Sequence, residues 1–255
     1  MSTLVEGVKR CVIGNGEMFP TDNFKGGDMS AACRWDCYRR ATMLEPLAEA
    51  IFRDNIPGDF LEAGVFKGGI ATAMAAMMLV GDGPNGKRTM WLADSFDGLP
   101  NVSTPVSPEI DAIVREENQK AHWFRGLFNA SQPKVKDHLY QCLRDRNGEL
   151  LRGWRRVRLL PGFFEDSLPG PVRSLALLRI DGDLYTSIIT TLERLWQYVS
   201  DGGFVVFDDW KFPQSRRAIS DFRERWHIDT PILFANDTLD PMAYWRKEPI
   251  GMWLR

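Results

Sequence analysis

Four carboxylates follow two short apolar runs in the second half of the chain. The first run ends in Asp181 and Asp183, and the second ends in Asp208 and Asp209. Short apolar runs bounded by turn residues are typical of buried strands in a parallel sheet. Ligands of such sheets lie at the carboxyl ends of the strands, so we expect all four side chains to share one crevice. Because these like charges repel one another, a hard divalent cation with oxygen ligands is the usual way to hold them together.

A glycine-rich loop and another acidic strand end precede these carboxylates. The segment from Glu62 to Gly69 follows the first predicted strand, and Asp94 ends the second. Glycines between a strand and a helix let a ligand approach the backbone, and the acidic Glu62 suits a cationic or hydroxyl-bearing ligand. Asp94 is placed to accept hydrogen bonds from two ribose hydroxyls. The alternatives are that the glycines only form a tight turn and that Asp94 only caps the turn after it.

The predicted elements alternate between strand and helix, which predicts an α/β fold with a doubly wound, mostly parallel sheet. We expect residues 1–56 to form an N-terminal helical cap and 57–255 to form the main domain, with 100–150 as an inserted lid-like region. Pro46 predicts a break or kink in the first helix. Strands are predicted at 59–62, 89–94, 157–160, 175–180 and 204–207, with strand-like segments at 232–234, 243–245 and 251–254, and helices at 29–52, 68–80, 110–119, 135–146, 186–199 and 215–226.

The overall composition excludes several classes of partner. With a net charge of -2 in 255 residues, the chain has no basic excess for binding nucleic acid. No apolar stretch approaches the roughly 20 residues of a membrane span, and the first ten residues are too polar for a signal peptide. Cys33 and Cys37 have no second Cys/His pair at metal spacing, so we interpret the cysteines as free thiols and expect a cytoplasmic protein. His138 is expected to be solvated.

Five motifs follow one another along the chain. They are Gly58-Asp-Phe-Leu-Glu-Ala-Gly-Val-Phe-Lys-Gly-Gly69, Ala93-Asp-Ser-Phe-Asp-Gly98, Leu160-Pro-Gly-Phe-Phe-Glu-Asp166, Arg179-Ile-Asp-Gly-Asp-Leu-Tyr185 and Gly202-Gly-Phe-Val-Val-Phe-Asp-Asp-Trp210. In this order they resemble the TylF/MycF, or macrocin O-methyltransferase, family, over the region from about Asp59 to Arg225. The resemblance implies a Rossmann-like class I methyltransferase fold, with a seven-stranded, mostly parallel sheet, helices on both faces and an N-terminal helical cap. It further implies S-adenosylmethionine and Mg²⁺ as cofactors, a sugar hydroxyl of a glycosylated natural product as acceptor, and a homo-oligomer, either a dimer or a tetramer.

The resemblance also implies roles for individual residues. Asp181, Asp208 and Asp209 match the metal ligands, and Asp183 matches the general base. Which of Asp181 and Asp183 binds the metal and which acts as the base stays open, so both are candidate catalytic residues. The glycine loop would hold the methionine portion of the cofactor, and Asp94 its ribose. The implied cofactor-binding residues are Glu62, Ala63, Gly64, Val65, Gly68, Asp94, Ser95, Gly162, Phe163 and Asp181.

Other functions compete with this interpretation. A metal-dependent methyltransferase of a phenol or catechol is the main alternative, because such enzymes also place acids at the fourth and fifth strands. A nucleotide-dependent oxidoreductase is disfavoured by the absence of G-x-G-x-x-G. A metal-dependent hydrolase leaves Asp94 and the Glu62 loop unexplained, and intact carboxylates argue against a non-catalytic homologue. For Asp183 alone, the alternative is that it only caps the helix beginning near Thr186.

Overall fold

The structure is a computed structural model that describes residues 31–143, 149–235 and 241–248. The predicted strand at 251–254, the start of the predicted cap and the end of the predicted helix at 135–146 lie outside these ranges. Within them, no helix combines the length and apolar character needed to cross a membrane.

The described residues form seven α-helices and seven strands, and their order alternates as predicted. The helices are α1 (Ala31–Arg53), α2 (Gly69–Asp82), α3 (Pro108–Ala121), α4 (Gln132–Cys142), α5 (Phe164–Ser167), α6 (Tyr185–Leu195) and α7 (Pro213–Arg225). The strands are β1 (Asp59–Ala63), β2 (Met90–Asp94), β3 (Val157–Pro161), β4 (Leu175–Ile180), β5 (Val199–Phe207), β6 (Leu233–Phe234) and β7 (Ala243–Arg246).

All seven strands belong to one sheet with the order β3-β2-β1-β4-β5-β7-β6. The first five strands are parallel, and β7 runs antiparallel to both β5 and β6. The strand order reverses between β1 and β4, and open α/β sheets bind their ligands at such a switch point. The prediction of a seven-stranded, mostly parallel Rossmann-like sheet is therefore confirmed.

Alternation of side chains along the strands builds a separate core on each face of the sheet. Phe60 packs with α1, α2 and α4, whereas its neighbour Leu61 packs with α6 and α7. Leu177 and Leu178 divide in the same way. Since successive side chains of a strand point to opposite faces, an unbroken apolar run places helices on both sides.

Of the break or kink predicted at Pro46, the break is wrong, because helix α1 continues through this residue to Arg53. Pro46 is exposed on the solvent side. Leu44, Ala48 and Ile51 are fully or almost fully buried on the opposite side, within the core that also holds α2. Burial of Leu44 before the proline, and of Ala48 and Ile51 after it, offsets the loss of the backbone hydrogen bond that a proline cannot donate.

The ends of β1 and β4 approach each other so closely that only glycine fits between them. The Asp181 amide donates to the Ala63 carbonyl at 2.8 Å. Gly64 has a φ of +94°, and a Cβ there would lie 1.7 Å from the Asp181 carbonyl oxygen. Strand packing by itself thus requires glycine at position 64.

We expect Gly64→Ala to lower the free energy of unfolding by about 2–5 kcal/mol, because the new methyl group overlaps the backbone of Asp181 and the residue must keep a left-handed conformation. Urea denaturation measures this loss. The matched control is Gly126→Ala, since Gly126 has a φ of +84° but its nearest contact to an added Cβ is 3.8 Å. Equal losses in the two variants would contradict the steric explanation.

Candidate active site

A cavity of about 380 Å³ lies at the carboxyl ends of the parallel strands. Gly64 follows β1, Asp94 ends β2, Asp181 follows β4 and Asp208 follows β5, and all four residues line it. The register explains this convergence, because Ala63 pairs with both Ala93 and Ile180, and Ile180 pairs with Phe207. The volume falls in the usual range for a small-molecule site.

The carboxylates at the ends of β4 and β5 form a compact cluster. One carboxylate oxygen from each of Asp181, Asp208 and Asp209 lies within 4.8 Å of the other two. Asp208 and Asp209 are 6% and 5% exposed, whereas the Asp181 side chain retains 31% of its surface towards the cavity. The three residues therefore converge as predicted, and their oxygens lie close enough together to bind one cation.

Asp183 reaches the same cluster through an unusual turn. Its φ is +57°, in the left-handed region that few residues other than glycine adopt. The turn is held by the Asp183 amide, which donates to Asp209 Oδ2 at 2.8 Å, and by Ser215 Oγ, which donates to the Asp183 carbonyl at 3.2 Å. The Asp183 side chain faces the cavity, and a strained backbone of this kind persists only where the surroundings hold it.

Helix α6 is not capped by Asp183. Its N-cap residue is Leu184, which makes no side-chain cap hydrogen bond. The amide of Tyr185 instead donates to Gln214 Oε1 at 3.0 Å, from the first turn of α7. The interpretation of Asp183 as a mere helix cap is therefore wrong, because a residue of another helix performs that function.

Arg179 is the cation that joins the strands beneath the cavity, and the sequence analysis missed it. It is 1% exposed, and its Nη1 contacts Glu62 Oε1 of β1 at 2.5 Å. Its Nη2 contacts Asp181 Oδ2 at 3.0 Å and Asp208 Oδ1 at 2.6 Å. An arginine within the otherwise apolar run 175–180 was the available signal, because a buried charge requires partners.

A second guanidinium reaches the cluster from the N-terminal helix. Arg40 of α1 is 7% exposed and lines the cavity, and its Nη1 lies 2.6 Å from Asp208 Oδ1. The same carboxylate oxygen therefore contacts both Arg40 and Arg179. Arg40 stands outside the motifs that drew attention to the site, so only the packing of α1 reveals its position.

The raised pKa values of the carboxyl groups indicate that the two guanidinium groups do not fully offset the burial and mutual repulsion of the carboxylates. Burial, together with repulsion from the neighbouring acids, raises the pKa of Asp183 and that of Asp209 well above the usual range. Desolvation and then repulsion from Asp208 raise the pKa of Asp181 to about 6. Burial raises the pKa of Glu62 to about 8, although Arg179 opposes the shift. The site thus favours a further positive charge.

Asp94 organises the glycine loop. Its Oδ2 accepts hydrogen bonds from the amides of Val65 and Phe66 at 2.7 and 3.0 Å, and its Oδ1 accepts one from Phe96 at 2.7 Å. A carboxylate offers about four acceptor positions, so capacity for a further donor is left on the cavity side. The position of Asp94 and its turn-capping bond were predictable from the sequence, whereas its bonds to the loop after β1 were not.

The implied cofactor-binding residues divide into two groups. Gly64, Asp94, Ser95, Phe163 and Asp181 line the cavity. The others are not among the described residues that line the cavity, so their direct contact with a cofactor stays a prediction. These are Glu62, Ala63, Val65, Gly68 and Gly162.

The remaining wall is aromatic and comes largely from the region between β2 and β3. Trp123 follows α3, is 8% exposed, and packs edge-on against Phe212 with ring centroids 4.8 Å apart. Phe128 makes a similar contact with Phe66 of the glycine loop at 5.7 Å. All four rings line the cavity. The predicted insertion at 100–150 therefore contributes directly to the wall of the site.

His138 corrects the expectation of a solvated imidazole. It lies on α4, is 4% exposed, and faces Gly68 at the start of α2, where an added Cβ would lie 3.5 Å from its Cδ2. The charged neighbours Lys134, Lys136 and Asp137 suggested solvent. The helical period nevertheless places His138 on the same face as the buried Val135. Burial lowers the pKa of His138 to about 4.

The strand order and this site together define the class of protein. A parallel sheet closed by an antiparallel β7, a glycine loop after β1 and an acid after β2 form the S-adenosylmethionine-dependent methyltransferase fold, and the chain is an O-methyltransferase. Residues 29–247 match the model of the macrocin O-methyltransferase (TylF) family. The chain therefore belongs to that family, and the match extends beyond the region from Asp59 to Arg225 to include α1.

Similar proteins support this assignment over most of the chain. An 8-demethyl-8-(2,3-dimethoxy-alpha-L-rhamnosyl)-tetracenomycin-C 4'-O-methyltransferase of Streptomyces olivaceus is 35% identical over 82% of this chain and 73% of its own length. Mycinamicin III 3''-O-methyltransferase of Micromonospora griseorubida is 31% identical over 82% of this chain and 76% of its own. The solved structure of the O-methyltransferase NovP aligns with a TM-score of 0.72, at 27% identity, over 96% of this chain and 98% of that one.

We expect His138 to make the protein lose stability in mild acid. Its pKa is about 4 in the fold and about 6.5 when unfolded, so the unfolded state binds the proton first. The contribution is complete above pH 6.5 and falls as the pH falls towards 4, with a loss of about 2 kcal/mol by pH 5. Urea denaturation at pH 7.5 and pH 5 measures it. His138→Gln should lose about 2 kcal/mol less than wild type on this acidification, with His227→Gln, an exposed imidazole, as the control. Parallel losses in wild type and His138→Gln would contradict the assignment.

Proposed function

We propose that the protein methylates a sugar hydroxyl of a glycosylated natural product, using S-adenosylmethionine and Mg²⁺. The observation that carries the proposal is one cavity lined by two chemically different groups of residues. Asp94 ends β2, on one side of β1, and the cluster of Asp181, Asp208 and Asp209 follows β4 and β5, on the other side. Such an arrangement is suited to hold a methyl donor beside an activated acceptor oxygen, and alignment of the two would supply much of the rate.

The donor set fits a magnesium ion. Asp181, Asp208 and Asp209 offer only oxygen ligands, which hard divalent cations prefer over softer metals. The raised pKa values of Asp181 and Asp209 support a site that favours a further cation. When bound, the ion would stabilise negative charge that develops on the acceptor oxygen.

Asp183 is suited to accept the proton of the sugar hydroxyl. Its carboxylate lies in the cavity, outside the set of three metal-ligand candidates, and its left-handed backbone holds it there. We therefore assign the base to Asp183 and metal binding to Asp181, which leaves Asp181 also facing the cofactor.

The charges in the cavity favour a neutral glycoside over a nucleotide-activated sugar. Of the described residues that line it, six are acids and two, Arg40 and Lys211, are cations. Arg40 already contacts Asp208. A diphosphate brings further negative charge into this acidic environment, where repulsion is weakly screened. An uncharged aglycone instead fits the aromatic wall of Trp123 and Phe128. We therefore infer that the glycosyl group is attached before methylation.

The N-terminal cap and the inserted region are proposed to close over the acceptor. The described part of the cap is α1, which brings Arg40 to the cavity, and the insertion brings Trp123 and Phe128. Association into a homo-oligomer is supported by the edge strand β6, whose Leu233 and Phe234 are 48% and 47% exposed. We also propose that the protein is cytoplasmic.

The proposed function is tested by transfer of a labelled methyl group from S-adenosylmethionine to a panel of acceptors. We expect transfer to neutral rhamnosides with aromatic or macrolide aglycones, complete loss with excess chelator, and recovery with Mg²⁺. A nucleoside diphosphate sugar and a catechol serve as comparison acceptors, one for each alternative substrate class. Full activity in chelator would exclude the metal. Preference for the nucleotide sugar would contradict the charge argument, and preference for the catechol would favour the phenol alternative.

Asp183→Asn should reduce the rate of methyl transfer about 100-fold or more, because the amide keeps the size of the side chain but cannot take up the proton. Affinity for S-adenosylhomocysteine, measured by calorimetry, should change little. Asp97→Asn provides the control, since Asp97 is an exposed acid on the loop after β2. Turnover close to that of wild type in Asp183→Asn would leave activation of the hydroxyl to the metal alone.

A further inference from the structure

Arg40 is the one described residue of α1 that lines the cavity. Its guanidinium contacts a carboxylate oxygen of Asp208, which is one of the three candidate metal ligands. Arg40 Nη1 is 2.6 Å from Asp208 Oδ1, and both side chains are 8% exposed. An ion pair so well shielded from water is screened little by salt. It therefore acts directly on the electrostatic potential within the acidic cluster.

Asp208 does not need Arg40 for its orientation. The same Oδ1 contacts Arg179 Nη2 at 2.6 Å, and Arg179 is anchored on the other side by Glu62. The two arginines also differ in their scaffolds. Arg179 belongs to β4 at the centre of the sheet, whereas Arg40 belongs to a helix outside the sheet. Arg179 is thus the permanent support of Asp208, and Arg40 is an additional positive charge delivered by the cap.

We propose that Arg40 is a displaceable counter-cation that sets the affinity of the acidic cluster for its divalent ion and couples α1 to metal occupancy. This inference rests on the metal site of the proposed function. Before the ion binds, Arg40 offsets part of the repulsion among Asp181, Asp208 and Asp209. A divalent ion held by the same three carboxylates is repelled by Arg40 and competes with it for Asp208. Arg40 therefore lowers metal affinity and is a positioning residue, not a catalytic one.

The charge of Arg40 is tested by titrating the metal-free protein with Mg²⁺ in a calorimeter. Arg40→Met should bind Mg²⁺ about tenfold or more tightly than wild type, because a nearby positive charge is removed. Arg40→Lys keeps the charge and should stay within about threefold of wild type. The matched control is Arg53→Met, on the same helix, where the side chain is 70% exposed.

The outcomes separate this inference from the proposed function. Unchanged or weaker Mg²⁺ binding by Arg40→Met, with normal binding by wild type, overturns the inference alone and makes Arg40 a plain support of Asp208. Absence of binding by wild type and Arg40→Met alike overturns both. Binding by Arg40→Met alone supports the inference, since the counter-cation then masks the site.

A measurement on the wild-type protein tests the same inference if Arg40→Met does not fold. Displacement of Arg40 predicts that saturating Mg²⁺ increases amide hydrogen exchange in α1 around residues 39–42. Exchange around Leu44 and Ile51, which are fully buried in the core, should not change and is the internal control. Bound Mg²⁺ with unaltered exchange around Arg40 would contradict the coupling.

Discussion

The buried guanidinium of Arg179 is the interaction on which the site depends. Lying on β4, it contacts Glu62 of β1, Asp181 at its own strand end and Asp208 after β5. Burial alone would lower its pKa, but these carboxylates raise the pKa well above the usual range. A charge in this position is stable only with several partners, and removal of one partner from such a network typically costs about 3–5 kcal/mol. Three strand ends are thereby held together by one side chain.

The negative charge of the acids at the strand ends exceeds the positive charge of the two arginines that contact them, and such an imbalance is typical of a binding site. A folded protein could avoid it by placing apolar residues at the strand ends, as it does along the rest of β4 and β5, where Leu177, Leu178 and Val206 are fully buried. Instead the strand ends carry four carboxylates, of which Asp183 adopts a strained backbone. Unfavourable electrostatics and strain are retained at sites where a ligand later compensates for them. In the proposed function, a divalent cation and a proton from the acceptor would supply this compensation.

The sheet and the peripheral elements contribute different parts of the function. The proposed methyl transfer uses the ends of β1, β2, β4 and β5, which the backbone hydrogen bonds of the sheet hold together. The aromatic wall of the cavity, where we propose that the acceptor binds, comes from Trp123 and Phe128 in the insertion, with Phe212 before α7. Helix α1 supplies Arg40. Loops on a rigid scaffold vary more freely than the scaffold itself, which explains how relatives that share this fold are named for different glycosides.

The sequence by itself determined the alternation of elements, the two-faced sheet and the positions of Asp94, Asp181, Asp183, Asp208 and Asp209 at one edge, because apolar runs and turn residues are local signals and parallel strands share an edge. It did not determine which charges meet. Arg179 and Arg40 are separated by more than a hundred residues, and only the packing of α1 and β4 places both on Asp208. The charged neighbours of His138 suggested an exposed side chain, and Pro46 suggested a break in α1. In both cases the burial of one helix face decided the outcome. Long-range contacts are set by tertiary packing, and for that reason the charge balance of this site belongs to the fold rather than to any segment of it.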